Sequence, residues 1–428
     1  MKDCAIGSVE QQPLETREDL TPRRLRVVFV DHVARLSGGE IALLRLLPAL
    51  SRKVDVHVIL GEDGPLVKRL QAFGIDVEVM PLSPRLRDIR KASVRPSAID
   101  VRAVADLPKY VFRLRRRLRE LDADIVHTNS LKAALYGGVA GRLTRIPVVW
   151  HIRDRIAPDY LPRPAIALVH IAARLLPTAV VANSRATLAT VPRPRRQQVL
   201  HNPVVPDSVE RRRQSRAERD SDEIVVGIIG RLAPWKGQHV FLDGFAEAFG
   251  GTHVRGRIVG TAMFGEDDYA DSLQRRAERL GISDRIEFCG FREDVWAELR
   301  RLDILVHCSV TPEPFGQVVL EGMAARVPVI ATNGGGPAEL ITNGVDGILT
   351  TPGDTAELAS ALRRLRDDRE LRAALVQGGL KRSAAFTPEQ ATDQLLEIYR
   401  GIVAPRRLRM PVGLQGAQPD VMGPDTLA

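Results

Sequence analysis

Cysteine is nearly missing from this chain: Cys4, Cys289 and Cys308 are the only three in 428 residues. An odd, sparse set without CxxC spacing speaks against a disulfide framework and a thiolate zinc site, and it suits a reducing compartment, the cytoplasm. Aromatic residues make up only 4% of the chain. That argues against nucleic acid as a partner, since base stacking needs exposed rings. No apolar run approaches the roughly 18 residues of a membrane span. Residues 1–23 lack the apolar stretch of a secretory signal and read as a disordered leader. The fingerprint GxGxxG occurs nowhere, which disfavours an NAD or FAD enzyme.

What is present is ordinary globular material with a basic bias. Lysine and arginine number 62 against 53 acidic residues, a net charge of +9. Such a surplus suits an anionic partner, whether acidic lipid or a phosphorylated substrate. Short, nearly all-apolar segments alternate with helical patterns from about residue 25 to 400. In the first half they are 26–32, 54–60, 75–80, 124–129, 147–152 and 179–184; in the second, 224–230, 255–260, 285–290, 304–309, 327–332 and 346–351. This is the pattern of parallel strands buried on both faces, hence α/β. The charged stretch 202–223 reads as a linker. We expect two Rossmann-like parallel-sheet domains, 24–201 and 224–385, facing a central cleft, with a helix at 386–403 and a disordered tail at 404–428. Ligands of open parallel sheets sit beyond the carboxyl ends of the strands.

Several strand ends carry candidate chemistry. "RLSGGE" places Gly38 and Gly39 at a helix start, where backbone N–H groups stabilise anions. Ser37 and Glu40 fit a capping box there, so a plain capped helix and a phosphate loop are both admissible. Arg231 and Lys236 follow the strand "VVGIIG" and suit a diphosphate, Arg as a planar fork and Lys as a point charge; a solvated surface pair is the plainer alternative. His151 ends the strand "VVWH", with Arg153 and Asp154 behind it; His127 and His201 read as structural. In "TPEPFGQVVLEG" two glutamates, Glu313 and Glu321, flank an expected helix start near Phe315 and Gly316. Backbone N–H groups there form an anion pocket, and carboxylates beside it suit sugar hydroxyls. The acids of "GEDDYAD" (265–271) read as a solvated loop.

Taken together, "GRLAPWKG", "EPFGQVVLEGMAARVPVIAT" and "GGGPAELITNGVDGILTTPGD" resemble the retaining GT-B glycosyltransferases of family 4, across about residues 25–400. The resemblance implies transfer of a sugar from a nucleotide-sugar donor, UDP-linked by prior, to an acceptor the sequence does not disclose. It implies no metal and no cofactor. It gives Arg231 and Lys236 the donor diphosphate, Glu313 the donor sugar near its reacting carbon, and Glu321 the nucleotide ribose. Phe315 and Gly316 would offer backbone donors to phosphate, and Gly38 and Gly39 a glycine loop over it. His151 falls near the sugar, and Phe291 and Arg292 border the base. A catalytically inactive scaffold that binds polyanions or membrane is the alternative.

One more stretch is basic. Leu107, Val111, Leu114, Leu118 and Leu121 recur at helical spacing under an arginine-rich face. With the basic loop 83–97, that face is a candidate for anionic lipid at the inner membrane surface; a solvated face on a core helix is the alternative.

Overall fold

The computed structural model describes residues 23–87, 101–192, 196–205, 223–263 and 265–407. Nearly all of the expected leader and tail, most of the linker and the basic loop from residue 88 lie outside the described residues. Among the described residues, thirteen strands form two sheets. The first holds β1 (Arg26–Asp31), β2 (Asp55–Leu60), β3 (Asp76–Val79), β4 (Ile125–Thr128), β5 (Val148–Ile152), β6 (Ala179–Ala182) and β7 (Gln197–Val199), in the order β3-β2-β1-β4-β5-β6-β7. The second holds β8 (Val225–Ile229), β9 (Arg255–Val259), β10 (Ile286–Gly290), β11 (Ile304–His307), β12 (Val329–Thr332) and β13 (Ile348–Thr350), in the order β10-β9-β8-β11-β12-β13. Neighbouring strands are parallel throughout both sheets.

The twelve expected strands form, each within a residue or two of its apolar run. Their side chains are buried on both faces; Val28 and Val30 enter one core and Val27 and Phe29 the other. Strand β7 was not expected, because Gln-Gln-Val carries no apolar pattern and sits at a sheet edge. In both sheets strand order reverses beside the first strand, at β1/β4 and β8/β11. These are the topological switch points where crevices open.

Contacts of several kinds tie the two sheets together. The helix Pro388–Arg407 returns to the first sheet and buries Leu395, Leu396, Tyr399 and Ile402 against Phe29, Leu43 and Leu47. Ser184 and Thr187 hydroxyls donate to the Pro314 carbonyl at 2.6 and 3.1 Å. The Glu339 carboxylate accepts the backbone N–H groups of Arg185 (2.9 Å) and Ala186 (2.7 Å), at the start of the short helix Arg185–Leu188.

Two expectations need correction. In the helix Val101–Glu120, Leu107 is exposed rather than part of the stripe. Tyr110 takes the inward place, its ring edge-on to Tyr136 at 5.0 Å, followed by Val111, Leu114 and Leu118. The acids of 265–271 are not a loop throughout: Asp267 opens the helix Asp267–Arg279, and Asp267 and Asp268 in its first turn complement the helix dipole.

Candidate active site

The segment after β11 builds the centre of the cleft. The helix Gln317–Ala324 begins behind Gly316, whose φ of +88° is left-handed. A Cβ there would meet the Pro337 ring at 2.8 Å, so glycine is needed on two counts. Upstream, Glu313 pairs its backbone with Gly335, which fixes the loop between the two prolines.

The Glu313 carboxylate is gripped on both oxygens. Lys236 Nζ donates to Oε1 at 2.7 Å. His307 Nε2 and the Ser309 hydroxyl donate to Oε2 at 2.6 and 2.7 Å. Burial alone would raise this carboxyl. The charges and hydrogen bonds of Lys236 and His307 outweigh it and hold the group well below the usual carboxylate range. Glu313 is therefore a fixed negative charge and does not take up a proton near neutrality.

Arg231 and Lys236 both approach the ring of Trp235. Lys236 Nζ lies 4.5 Å from the Trp235 ring centre and the Arg231 guanidinium 5.9 Å. Arg231 also pairs with Glu266 at 3.2 Å. Gly237, at φ +72°, lets the chain turn directly into the helix Gln238–Phe249; a Cβ there would run into the Cys308 carbonyl. Lys236 is thus set rigidly against the end of β11.

The first sheet contributes a second polar cluster. The expected capping box forms, with Glu40 accepting the Ser37 backbone N–H at 3.2 Å, and the helix Gly38–Leu50 follows. A Cβ on Gly39 would touch Arg153 Cδ at 3.0 Å, so the arginine lies directly under the glycine turn. Arg153 donates to Asn129 Oδ1 and to Asn202 Oδ1, both at 2.7 Å. Burial draws this guanidinium down to about 10 against the opposing charges of Glu40 and Asp31. Burial, with the Asp31 charge, pushes the Glu40 carboxyl up to about 7. Asn202 in turn donates to Gln317 Oε1 at 3.1 Å. The cluster therefore touches the first residue of the helix Gln317–Ala324 across the cleft.

His151 is buried at the end of β5 beside this cluster. Its Nδ1 lies 3.2 Å from His127 Nε2 and 3.4 Å from Arg153 Nη2. Its Nε2 is buried without a hydrogen-bond partner among the described residues. Burial first, then the Arg153 charge, holds His151 neutral, well below the ordinary imidazole range. A buried ring nitrogen without a partner costs about 1–3 kcal/mol, which a bound polar group would relieve.

The remaining candidates fall in different places. Glu321 faces the other sheet, where Arg45 Nη2 donates to its Oε1 at 2.7 Å; burial nonetheless raises this carboxyl. Phe315 buries its ring in the core, 6.0 Å from the His201 ring, so only its backbone can serve a ligand. Phe291 is 69% exposed, and Arg292 reaches Glu298 at 3.7 Å; no contact joins either to the Glu313 cluster. Sequence reading passed over His307, Ser309, Arg45, Asn129 and Asn202. Only His307 left a signal, a polar residue ending the apolar strand β11 six positions before Glu313.

Comparison with known proteins bears on the fold and the family. The family described as glycosyl transferases group 1 matches residues 210–382, and glycosyltransferase family 4 matches residues 36–208. The D-inositol 3-phosphate glycosyltransferase of Acidothermus cellulolyticus is 26% identical, over 90% of this chain and 92% of its own. The lipopolysaccharide core biosynthesis glycosyltransferase LpsE of Rhizobium meliloti is 29% identical over 43% of this chain, a match spanning about half (52%) of that relative. Among solved structures, HepE of Anabaena in complex with UDP-glucose superposes with a TM-score of 0.76 at 28% identity, covering 88% of this chain and 100% of HepE. With two parallel sheets facing one cleft and a family match on each half, the chain belongs to the GT-B glycosyltransferases of the family 4 type.

Proposed function

We propose that the protein transfers a sugar from a nucleotide donor, UDP-linked in the first instance, to an acceptor hydroxyl, with retention of anomeric configuration and without a metal. The observation that carries this reading is the Glu313 carboxylate pinned by Lys236, His307 and Ser309 beside a helix start. Cleaving a glycosyl–phosphate bond puts negative charge on the departing diphosphate and positive charge on the anomeric carbon. Lys236, Arg231 and the N–H groups at Gly316 and Gln317 are placed to stabilise the first. Glu313, a charge that stays negative, is suited to the sugar's hydroxyls and to the second. A carboxylate held this acidic is a poor general base, which favours same-side attack in which the leaving phosphate accepts the acceptor's proton. Glu313 and Glu321 do not act as a glycosidase pair, since each is bound to a different cation.

UDP is favoured because the HepE structures of similar fold hold UDP or UDP-glucose. The acceptor belongs to surface polysaccharide, glycolipid or natural-product synthesis, as the relatives' names suggest: lipopolysaccharide core for LpsE and kanosaminyl transfer in Streptomyces kanamyceticus. The test is incubation with a panel of nucleotide sugars, with released nucleotide and the anomeric proton of the product followed by NMR. Slow donor hydrolysis with retained configuration is expected. Inverted product refutes the mechanism. No turnover of any donor, with polyanion binding intact, would instead favour an inactive scaffold.

No described helix is long and apolar enough to cross a membrane. Surface docking is a separate matter. On the arginine-rich helix, Arg116 and Arg117 are engaged with Glu120 and Glu78. A better surface lies next to it. The helices Leu131–Thr144 and Arg163–Leu175 contain no acidic residue, and Arg142 ties them by donating to the Leu175 carbonyl. Leu143, Leu168, Ile171 and Leu175 are exposed there, with Arg142 and Arg174 alongside. An apolar face on two helices without acidic residues, flanked by Arg142 and Arg174, fits an anionic lipid surface. Vesicles rich in phosphatidylglycerol should sediment the protein, and Ile171→Glu with Leu175→Glu should abolish this; unchanged sedimentation refutes the docking face.

A further inference from the structure

We propose that Tyr399, on the helix that returns from the second sheet to the first, acts through His127 to fix the tautomer of His151, so that His151 Nε2 enters the cleft side of the cluster as a hydrogen-bond donor. Tyr399 and His127 are positioning residues in this account. It rests on His151 as a contact to the donor sugar.

The three groups form one buried chain. The Tyr399 hydroxyl lies 2.8 Å from His127 Nδ1, and His127 Nε2 lies 3.2 Å from His151 Nδ1. All three side chains are buried. Phe29 stacks on the His127 ring at 4.5 Å between centres, which fixes the ring plane. Each neutral imidazole carries one proton, so choosing the nitrogen on one ring chooses it on the next.

Two arrangements are possible, and two observations select one. Burial keeps the Tyr399 hydroxyl protonated. His127 is its hydrogen-bond partner in this core, so the phenol satisfies its proton by donating to His127 Nδ1. His127 then carries its proton on Nε2 and donates to His151 Nδ1. At the far end, Arg153 Nη2 approaches the same His151 Nδ1 at 3.4 Å, and a guanidinium can only donate. His151 Nδ1 is thereby an acceptor from two sides, and its proton must stand on Nε2. That nitrogen is the buried atom left without a partner among the described residues.

The consequence is chemical selectivity. An N–H fixed at this place donates to a ligand oxygen, such as a hydroxyl or ring oxygen, and offers nothing to a group that can only donate. In the reversed chain a bare nitrogen would stand there and the preference would invert. Because Tyr399 sits on the returning helix, seating of that helix is coupled to the state of the sugar site.

Histidine-selective nitrogen-15 labelling of the full chain reads the tautomers directly through two-bond nitrogen–proton couplings, with His127→Gln and His151→Gln used for assignment. Both rings are expected to be protonated on Nε2. Tyr399→Phe leaves only the longer 3.4 Å approach of Arg153 to hold His151 Nδ1 as an acceptor, so it should introduce a fraction of the reversed tautomer of His151 and lower kcat about tenfold, with affinity for free UDP, which lacks the transferred sugar, unchanged. Protonation of His151 on Nδ1 in the parent protein overturns the proposal, as does an unchanged tautomer in Tyr399→Phe. Should that variant not fold, the parent spectrum alone decides. Should no donor turn over, the proposed function fails while the tautomer result stands on its own.

Discussion

Removing the Lys236 ammonium isolates what holds the centre of the cleft. Lys236→Met keeps most of the aliphatic stem and deletes the ammonium, with its 2.7 Å pair to Glu313 and its approach to the Trp235 ring. Removing one partner of a buried ion pair costs about 3–5 kcal/mol when the other charge is left uncompensated. His307 and the Ser309 hydroxyl still donate to Glu313 Oε2, so the loss should fall at about 2–3 kcal/mol. Adding Glu313→Gln removes the stranded charge, and the double variant should regain at least half of that stability. Activity should not follow: both variants should turn over at least about 100-fold more slowly, the scale of one lost charge-stabilising group. The pH dependence supplies a second sign. The folded Glu313 carboxyl lies below its unfolded value, so its contribution is complete above the ordinary carboxylate range and is lost as pH falls through the folded value. Lys236→Met should move that loss to higher pH. Urea unfolding followed by tryptophan fluorescence, from pH 3 to 8, measures both effects. A single variant as stable as the parent, or a double variant no more stable than the single, would refute the reasoning.

Three further outcomes follow from other parts of the cleft. Glu40→Gln keeps the Ser37 cap but removes a carboxyl raised to about 7 by burial and Asp31. A raised acid binds its proton more tightly in the folded state, so the parent loses stability between the ordinary carboxylate value and that pH; the variant should be about 1–3 kcal/mol more stable at pH 8 and near parity at pH 5 by thermal unfolding. Gly237→Ala must accommodate both a φ of +72° and a clash with the Cys308 carbonyl, and should cost about 2 kcal/mol or more while displacing Lys236; parent-like stability and activity would show that the turn is not as tight as described. Arg45→Met removes the charge that opposes the burial of Glu321, so UDP binding measured calorimetrically should fade with acid at a higher pH than in the parent; an identical profile would separate Glu321 from the nucleotide.

The fold was legible because its strands are buried on both faces. Runs such as "RVVFVDH" and "ILVHCS" announce themselves without any tertiary information, whereas β7 pairs at an edge through its backbone and needs no apolar signal. Within the site, glutamates and basic residues beside strand ends and prolines were readable, because helix starts and strand ends leave local marks. Their partners were not. Ser309 and His307 acquire meaning only when the chain folds back to bring Glu313 between them and Lys236. Arg45 meets Glu321 across 276 positions, and Tyr399 meets His127 across 272. Sequence spacing carries no trace of such contacts, and an amphipathic helix gives Tyr399 the same apolar position that a leucine would hold.

The central claim is that Lys236 and Glu313 form the grip on an activated sugar. Release of UDP from UDP-sugars by the parent protein and by Lys236→Ala, followed under identical conditions, tests it most directly. The account predicts measurable release by the parent from at least one UDP-sugar and a loss of about 100-fold or more in the variant. Equal release by the two proteins would contradict it.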